Sequence, residues 1–246
     1  MKNRKLLLGL VILLLSCIGL NSANAQKNDE WISLGPNNVS GRSRTIIFDR
    51  FNNNVMYSGG VAGGLFISVN NGKNWQEIQL GDGQQNLAIT TIAQDNDGVI
   101  YLGTGEGNYK NTGFGINNEK IGMLGSGVYK STTLSSSNKN WTANLTSDEA
   151  KYAWANDSIK FALLDFTKPA SSYNYGDGKS FVNKIAVNRA NNKVYVATDA
   201  GLMLMNTDAT NWTAVNAIAQ TAKVGDIAIN NNGTIAVYFD DTEGKI

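Results

Sequence analysis

The stretch 55–75, VMYSGGVAGGLFISVNNGKNW, decides how this chain folds. It predicts a strand over 55–58, a glycine-rich turn, a second strand over 64–68 and a tight polar turn that leads to a tryptophan. The polar turn has the form S-x-N-x-G-x-x-W, with Ser68, Asn70, Gly72 and Trp75 at fixed offsets. Gly72 permits a positive φ, the Ser and Asn side chains can bond the turn's own backbone, and Trp75 can bury its ring beneath it.

The same order of elements recurs along the chain, in segments 44–78, 88–143 and 182–215. Each has an alternating apolar strand, a polar turn, a strand with a tyrosine, a glycine-initiated strand and then a tryptophan (Trp75, Trp141 and Trp212). A fourth copy begins at Val224. Repeated four-stranded units predict an all-β fold, a β-propeller with blade units at about 43–78, 87–144, 181–215 and 224–246.

The turn SVNNGKNW resembles the box of the BNR or Asp-box propellers, S-x-D-x-G-x-x-W, with Asn70 in place of the Asp. The corresponding segments STTLSSSNKNW and NTDATNW are degenerate. The family includes sialidases, xyloglucanase-type glycosidases and sortilin-type ectodomains, so the resemblance implies a fold and leaves the activity open. Because closed propellers need four to eight blades, we expect an N-terminal fragment of a longer protein. The alternative is that the first strand is recruited to complete a small ring.

The N-terminal segment 1–25 has the pattern of a secretory signal. Lys2, Arg4 and Lys5 precede an apolar run over 6–15, and a small-x-small site ends at Ala25. The pattern predicts export and cleavage after Ala25, with a secreted or cell-surface location and no membrane insertion after cleavage. Lipid attachment at Cys17 is the alternative.

Composition excludes several kinds of chemistry. Without residues 1–25 the chain has 18 basic and 20 acidic residues, a net charge of −2, which offers no basic field for nucleic acid. Cys17 is the single cysteine, so no disulfide is expected, and the absence of histidine excludes imidazole zinc sites and Ser-His-Asp triads. We expect no cofactor and no metal, because Asp95-Asn96-Asp97-Gly98 is more typical of a hairpin turn than of a calcium site.

Two long insertions interrupt the repeats, at 106–126 and 144–180. With strands A to D numbered from the inside of a blade, the first lies between strands B and C of the second unit. The second is predicted to lie between that unit's D strand and the next unit's A strand. Because neighbouring strands alternate in direction, both insertions are predicted to leave from one face and to form a binding site there.

The predicted ligand-binding residues on this face are Tyr109, Phe114, Trp154, Tyr173, Tyr175 and Arg42. Aromatic rings offer flat surfaces to sugars, and acidic side chains such as Glu119, Asp157 and Asp177 can accept hydrogen bonds from hydroxyls. The alternative is that these aromatics only pack the insertions onto the blades. Segment 146–164 is predicted to be a helix capped by Ser147, and its stripe Tyr152, Ile159 and Leu163 is expected to face the protein.

Two functions follow from this pattern. The preferred one is a secreted non-catalytic propeller that recognises a glycan or an extracellular protein. The alternative is a glycoside hydrolase, whose paired carboxylates would be Glu106 and Asp199 on B–C turns.

The known activities of the family fit the residues poorly. The resemblance to xyloglucanases implies an acid where the first unit has Val61, although the third-unit turn that contains Asp199 is similar. A sialidase needs three arginines around a carboxylate, and Arg42, Arg44, Arg50 and Arg189 do not assemble such a triad. Arg42 has the further alternative of closing the N-terminal segment.

Overall fold

A computed structural model describes residues 42–80, 88–106, 123–131, 145–168, 181–206, 208, 210–215 and 223–239, all within one unit that spans 34–246. The predicted signal segment lies outside these residues. The strands are β1 (Ser43–Phe48), β2 (Met56–Gly60), β3 (Gly64–Ser68), β4 (Gln76–Ile78), β5 (Ile89–Gln94), β6 (Ile100–Thr104), β7 (Val128–Ser131), β8 (Phe161–Leu163), β9 (Val182–Asn188), β10 (Lys193–Thr198), β11 (Gly201–Met205), β12 (Trp212–Ala214), β13 (Val224–Ile229) and β14 (Ile235–Phe239). Among the residues that the structure describes, one helix, α1 (Asp148–Ser158), and a 3₁₀ turn (Asp165–Thr167) accompany the strands.

The strands form antiparallel sheets in simple chain order. Three sheets have four strands, β1 to β4, β5 to β8 and β9 to β12, and β13 pairs with β14 in a fourth. The first strand of each sheet lies against the first strand of the next, which is the arrangement of propeller blades. The predicted all-β propeller fold, with three four-stranded blades and the beginning of a fourth, is therefore confirmed.

In the described part of the chain the core has three apolar clusters, one at each junction between neighbouring sheets. The junctions are close because small residues allow the approach. A Cβ added at Gly59 would lie 2.6 Å from Ile89 Cγ2, and one added at Gly103 would lie 2.5 Å from Val182 Cγ1. At each of these two junctions, the backbone of a glycine in one sheet thus packs against a branched side chain of the next sheet.

The polar turn of the first sheet forms as its residues predict. Gly72 has φ of 80°, and its N–H donates to Ser68 Oγ at 2.8 Å. The N–H of Asn74 donates to Asn70 Oδ1 at 2.9 Å, and the half-buried Trp75 donates from Nε1 to the Gly72 carbonyl at 3.1 Å. The turn is held by its own side chains.

The second sheet corrects one prediction. Its fourth strand is β8, at 161–163, and not a strand beside Trp141, which lies outside the described residues. The predicted end of this unit at 144 is therefore wrong. The strand lies there because Phe161 belongs to the first core cluster and Leu163 packs against it, while β8 pairs with β7.

The helix is confirmed in part. Ser147 caps it, with Oγ accepting from the Ala150 N–H at 3.2 Å, but the helix ends at Ser158 and strand β8 begins at Phe161.

In the described part of the chain, no helix is both long and apolar enough to cross a membrane.

Candidate ligand-binding face

The antiparallel order gives the sheets two faces. We call the side with the B–C connections and the D-to-A crossovers the loop face, and the side with the A–B and C–D turns the turn face. The connection 105–127, which joins β6 to β7, leaves from the loop face, as does the crossover 164–181 from β8 to β9. Residues 132–160 join β7 to β8, which places α1 on the turn face.

The prediction that both insertions share a face is consequently wrong for the first half of 144–180. Trp154, predicted to contact ligand, lies on α1 and packs against the first core cluster. Tyr152 donates from its hydroxyl to the Asn74 carbonyl at 2.6 Å and accepts from the Val69 N–H at 3.5 Å. The helix thus covers the polar turn of the first sheet. The error arose from assigning the D strand to Trp141.

The base of connection 105–127 is well held. Glu106 and Met123 form an isolated antiparallel bridge, with N–H to carbonyl distances of 2.9 and 3.0 Å. Next to it, Thr104 Oγ1 donates to the Gly127 carbonyl at 2.7 Å and accepts from the Ser126 N–H at 2.8 Å. The loop therefore begins and ends on a fixed platform.

Three charged side chains meet beside this platform. Glu106 Oε1 forms an ion pair with Arg42 Nη2 and lies 3.8 Å from Arg44 Nε. The Arg42 side chain is 64% exposed and that of Glu106 20% exposed. Because the Arg42 carbonyl accepts from the Val61 N–H at 3.0 Å, the backbone beneath the arginine is fixed. The structure thus brings together Arg42 and Glu106, which are far apart in sequence.

Asp199 occupies a different environment on the same face. Its side chain is only 2% exposed, and Oδ1 accepts from Asn183 Nδ2 at 2.9 Å and lies 3.9 Å from Lys223 Nζ. Sequence reasoning missed both partners. The signal for Asn183 was present, since it occupies the repeat position of Thr90, whose Oγ1 donates to the Val182 carbonyl at 2.8 Å.

The remaining predicted ligand-binding residues, Tyr109, Phe114, Tyr173 and Tyr175, lie outside the described residues. Tyr109 and Phe114 belong to connection 105–127, and Tyr173 and Tyr175 belong to crossover 164–181. Both of these connections leave from the loop face. Their placement on a common ligand surface stays a prediction.

Titratable groups with displaced pKa values lie on the turn face. Burial raises the pKa of Asp95. The N–H groups of Val99 and Asp97 donate to its Oδ1 at 2.9 Å and favour the charged form, but their effect on the pKa is smaller than that of burial. Burial also raises the pKa of Tyr101, whose hydroxyl bonds Asp95. The pKa of Arg189 is lowered by burial and by the nearby Arg50. Among the described residues, no three acidic side chains are grouped as a metal site would need.

No family model matches this chain, and no curated protein sequence matches it either. Solved structures do. An ancestral GH74 enzyme is 16% identical over 80% of this chain, with a TM-score of 0.50, and the extracellular domain of the putative one component system BT4673 from B. thetaiotaomicron is 15% identical over 84%, with a TM-score of 0.52. YCF48 bound to D1 peptide is 12% identical over 87% of this chain and 52% of its own, with a TM-score of 0.42.

The chain spans only 22% of the GH74 enzyme and 21% of the BT4673 domain. At such low identity the likeness concerns the fold. The GH74 enzyme and the BT4673 domain are β-propeller-type proteins, and the described residues of this chain form propeller blades of the same kind.

Proposed function

We propose that this chain is part of an exported, non-catalytic β-propeller that recognises a glycan or an extracellular protein through its loop face. The single observation that carries the proposal is the platform formed by 104–106 and 123–127, where the long B–C connection leaves from a bridged base directly beside exposed charged side chains. Rigid scaffolds with one long surface connection commonly build binding sites in this way.

The arginines beside the platform suit recognition. A guanidinium has five donors in a planar fork, and Glu106 engages one nitrogen of each arginine. Because the Arg42 side chain is mostly exposed, its other donors can face a ligand hydroxyl, carbonyl or acid. Glu106 then fixes the fork in place, which lowers the entropy lost when a ligand binds.

The aromatic residues of the two loop-face segments complete the proposed site. Tyr109 and Phe114 belong to connection 105–127, and Tyr173 and Tyr175 to crossover 164–181. Trp154 is not part of the proposed site, because α1 lies on the turn face.

A glycoside hydrolase using Glu106 and Asp199 is the second candidate, and the fold of the GH74 neighbour is compatible with it. The burial of Asp199 weighs against this candidate, because a catalytic carboxylate must touch the sugar. An active hydrolase would lose its activity in a Glu106→Gln, Asp199→Asn variant; a non-catalytic binder has no hydrolysis to lose.

Binding to arrays of immobilised glycans and extracellular proteins tests the proposal. Arg42→Ala should weaken any binding by about 10- to 100-fold, the range for losing a charged hydrogen bond. Tyr109→Ala with Phe114→Ala, made separately, should weaken binding through the lost apolar contact of the two rings. Arg50→Ala is the matched control, since Arg50 is an exposed arginine on an A–B turn of the turn face. Equal losses for Arg42→Ala and Arg50→Ala, or unchanged binding in all variants, would contradict the proposed face.

A further inference from the structure

Thr104 lies at the end of strand β6, where the connection to β7 begins, and it is fully buried. Its Oγ1 donates to the Gly127 carbonyl at 2.7 Å and accepts from the N–H groups of Ser126 and Gly127 at 2.8 and 3.0 Å. A hydroxyl offers one donor and two acceptor lone pairs, so its whole hydrogen-bonding capacity is used on the returning end of the connection. One side chain thus ties the start of the connection to its end.

Thr198 occupies the equivalent position in the third sheet and makes the same kind of contact across a much shorter turn. Pairing with the first strand of each sheet, next to its β-bulge, sets Thr104 and Thr198 at the same place. Thr198 Oγ1 donates to the Gly201 carbonyl at 3.0 Å and accepts from the Ala200 N–H at 3.1 Å. The second sheet is therefore closed as a tight turn is closed, although residues 105–126 lie between its two ends.

The returning end of the connection is held from a second direction by Thr167, at the base of crossover 164–181. Thr167 is fully buried, and its Oγ1 accepts from the Val128 N–H at 2.9 Å and donates to the Leu164 carbonyl at 2.6 Å. A Cβ added at Gly127 would lie 2.5 Å from both the carbonyl oxygen and Oγ1 of Thr167. The backbone at Gly127 therefore has little room to shift away from the end of β6.

Glu106 lies two residues after Thr104, on the part of the connection that this closure orders. Its antiparallel bridge with Met123 requires the two ends of the connection to keep a fixed register. Bringing together the ends of residues 105–126 costs conformational entropy. The ion pair between Arg42 and Glu106 offsets little of that cost, because ion pairs in contact with solvent contribute little. The buried hydroxyl of Thr104 is better placed to do so, since water does not compete for its hydrogen bonds.

We propose that Thr104 is a positioning residue of the loop face, whose hydroxyl holds the two ends of connection 105–127 together and thereby sets Glu106 against Arg42. This inference rests on the proposed function, because it gives Thr104 a role in the same binding site. Thr104 is buried, so it acts through Glu106, which orients the Arg42 guanidinium, and not by contact with a ligand. Thr198, which closes the equivalent turn of the third sheet, is the matched control.

Hydrogen exchange of backbone amides, measured by NMR on the full chain, tests the proposal without a ligand. Thr104→Val removes the hydroxyl and should speed exchange at Glu106 and Met123 by about 10-fold relative to the amides of β9 and β10, as for the loss of one or two hydrogen bonds. Thr104→Ser keeps the hydroxyl and should retain slow exchange. Thr198→Val should leave the exchange of both amides unchanged. Because no ligand is used, the result is independent of the array experiment, which tests the proposed function.

Thr104→Gly is a second variant for the case in which Thr104→Val does not fold. Glycine occupies the equivalent position 60 of the first sheet, so the strand tolerates it. It should accelerate exchange at the same two amides with an unchanged far-UV circular dichroism spectrum. Unchanged exchange at Glu106 and Met123, equally fast exchange in Thr104→Val and Thr104→Ser, or uniform acceleration in all sheets would each overturn the positioning role. Loss of the folded state in both the valine and the glycine variant would overturn it as well.

Discussion

At the scale of single residues, Asn70 shows how a departure from a motif is compensated. Its Oδ1 accepts from the Asn74 N–H at 2.9 Å, as a carboxylate would, and its Nδ2 donates to Asp148 Oδ2 at 3.0 Å. An aspartate has no such donor. The amide therefore links the turn to the first residue of α1, and the resemblance to the Asp-box could not reveal this second role.

Asn70→Asp, although it restores the family's box, should destabilise the protein. Two carboxylates would face each other, and we expect a loss of about 1 to 3 kcal/mol in the free energy of unfolding at pH 7. Urea denaturation measures it. In the Asp148→Ala background the same change should cost much less. An equal cost in both backgrounds would mean that the contact between Asn70 and Asp148 contributes nothing.

Asp95 provides a pH-dependent prediction. Because burial raises its folded pKa above 3.8, its contribution to stability is full below that pH and declines as the pH rises through the folded pKa. Asparagine keeps the acceptor oxygen, as Asn188 and Asn230 do in equivalent turns, and does not titrate.

Asp95→Asn should therefore be more favourable, relative to the natural chain, at pH 7 than at pH 3. Urea denaturation of both proteins at the two pH values gives the comparison. A relative stability that is the same at pH 3 and pH 7 would show that the buried carboxyl has no such effect.

At the scale of elements, the close approach of neighbouring sheets depends on residues without side chains. Gly103→Ala would place a Cβ 2.5 Å from both Thr91 Cγ2 and Val182 Cγ1. We expect a loss of about 1 to 3 kcal/mol, the range for overpacked cores. Thermal and urea unfolding measure it.

Gly60→Ala is the matched control, since its Cβ would lie 3.3 Å from the nearest atom, Gly63 N. It should cost clearly less than Gly103→Ala. If the two alanines were equally tolerated, the sheets would have more freedom to separate than the distances indicate.

The strands differ in how well the sequence predicts them. Strands β1 to β4 were predictable because apolar alternation, turn residues and the box agree within a short stretch. Strand β8 was not, because its three residues are recognisable only through their pairing with β7, across 29 intervening residues. In the candidate site, strand direction predicted that Arg42 and Glu106 lie on the loop face. Their ion pair was not predictable, because the two residues are 64 positions apart in the sequence.

At the scale of the whole molecule, four of the five exposed large apolar side chains among the described residues lie on the first or the last described strand. Ile46 and Phe48 lie on β1, and Tyr238 and Phe239 lie on β14. Three junctions within the chain bury the equivalent positions. A junction of the same kind would remove this apolar surface from water, as the three junctions within the described residues do.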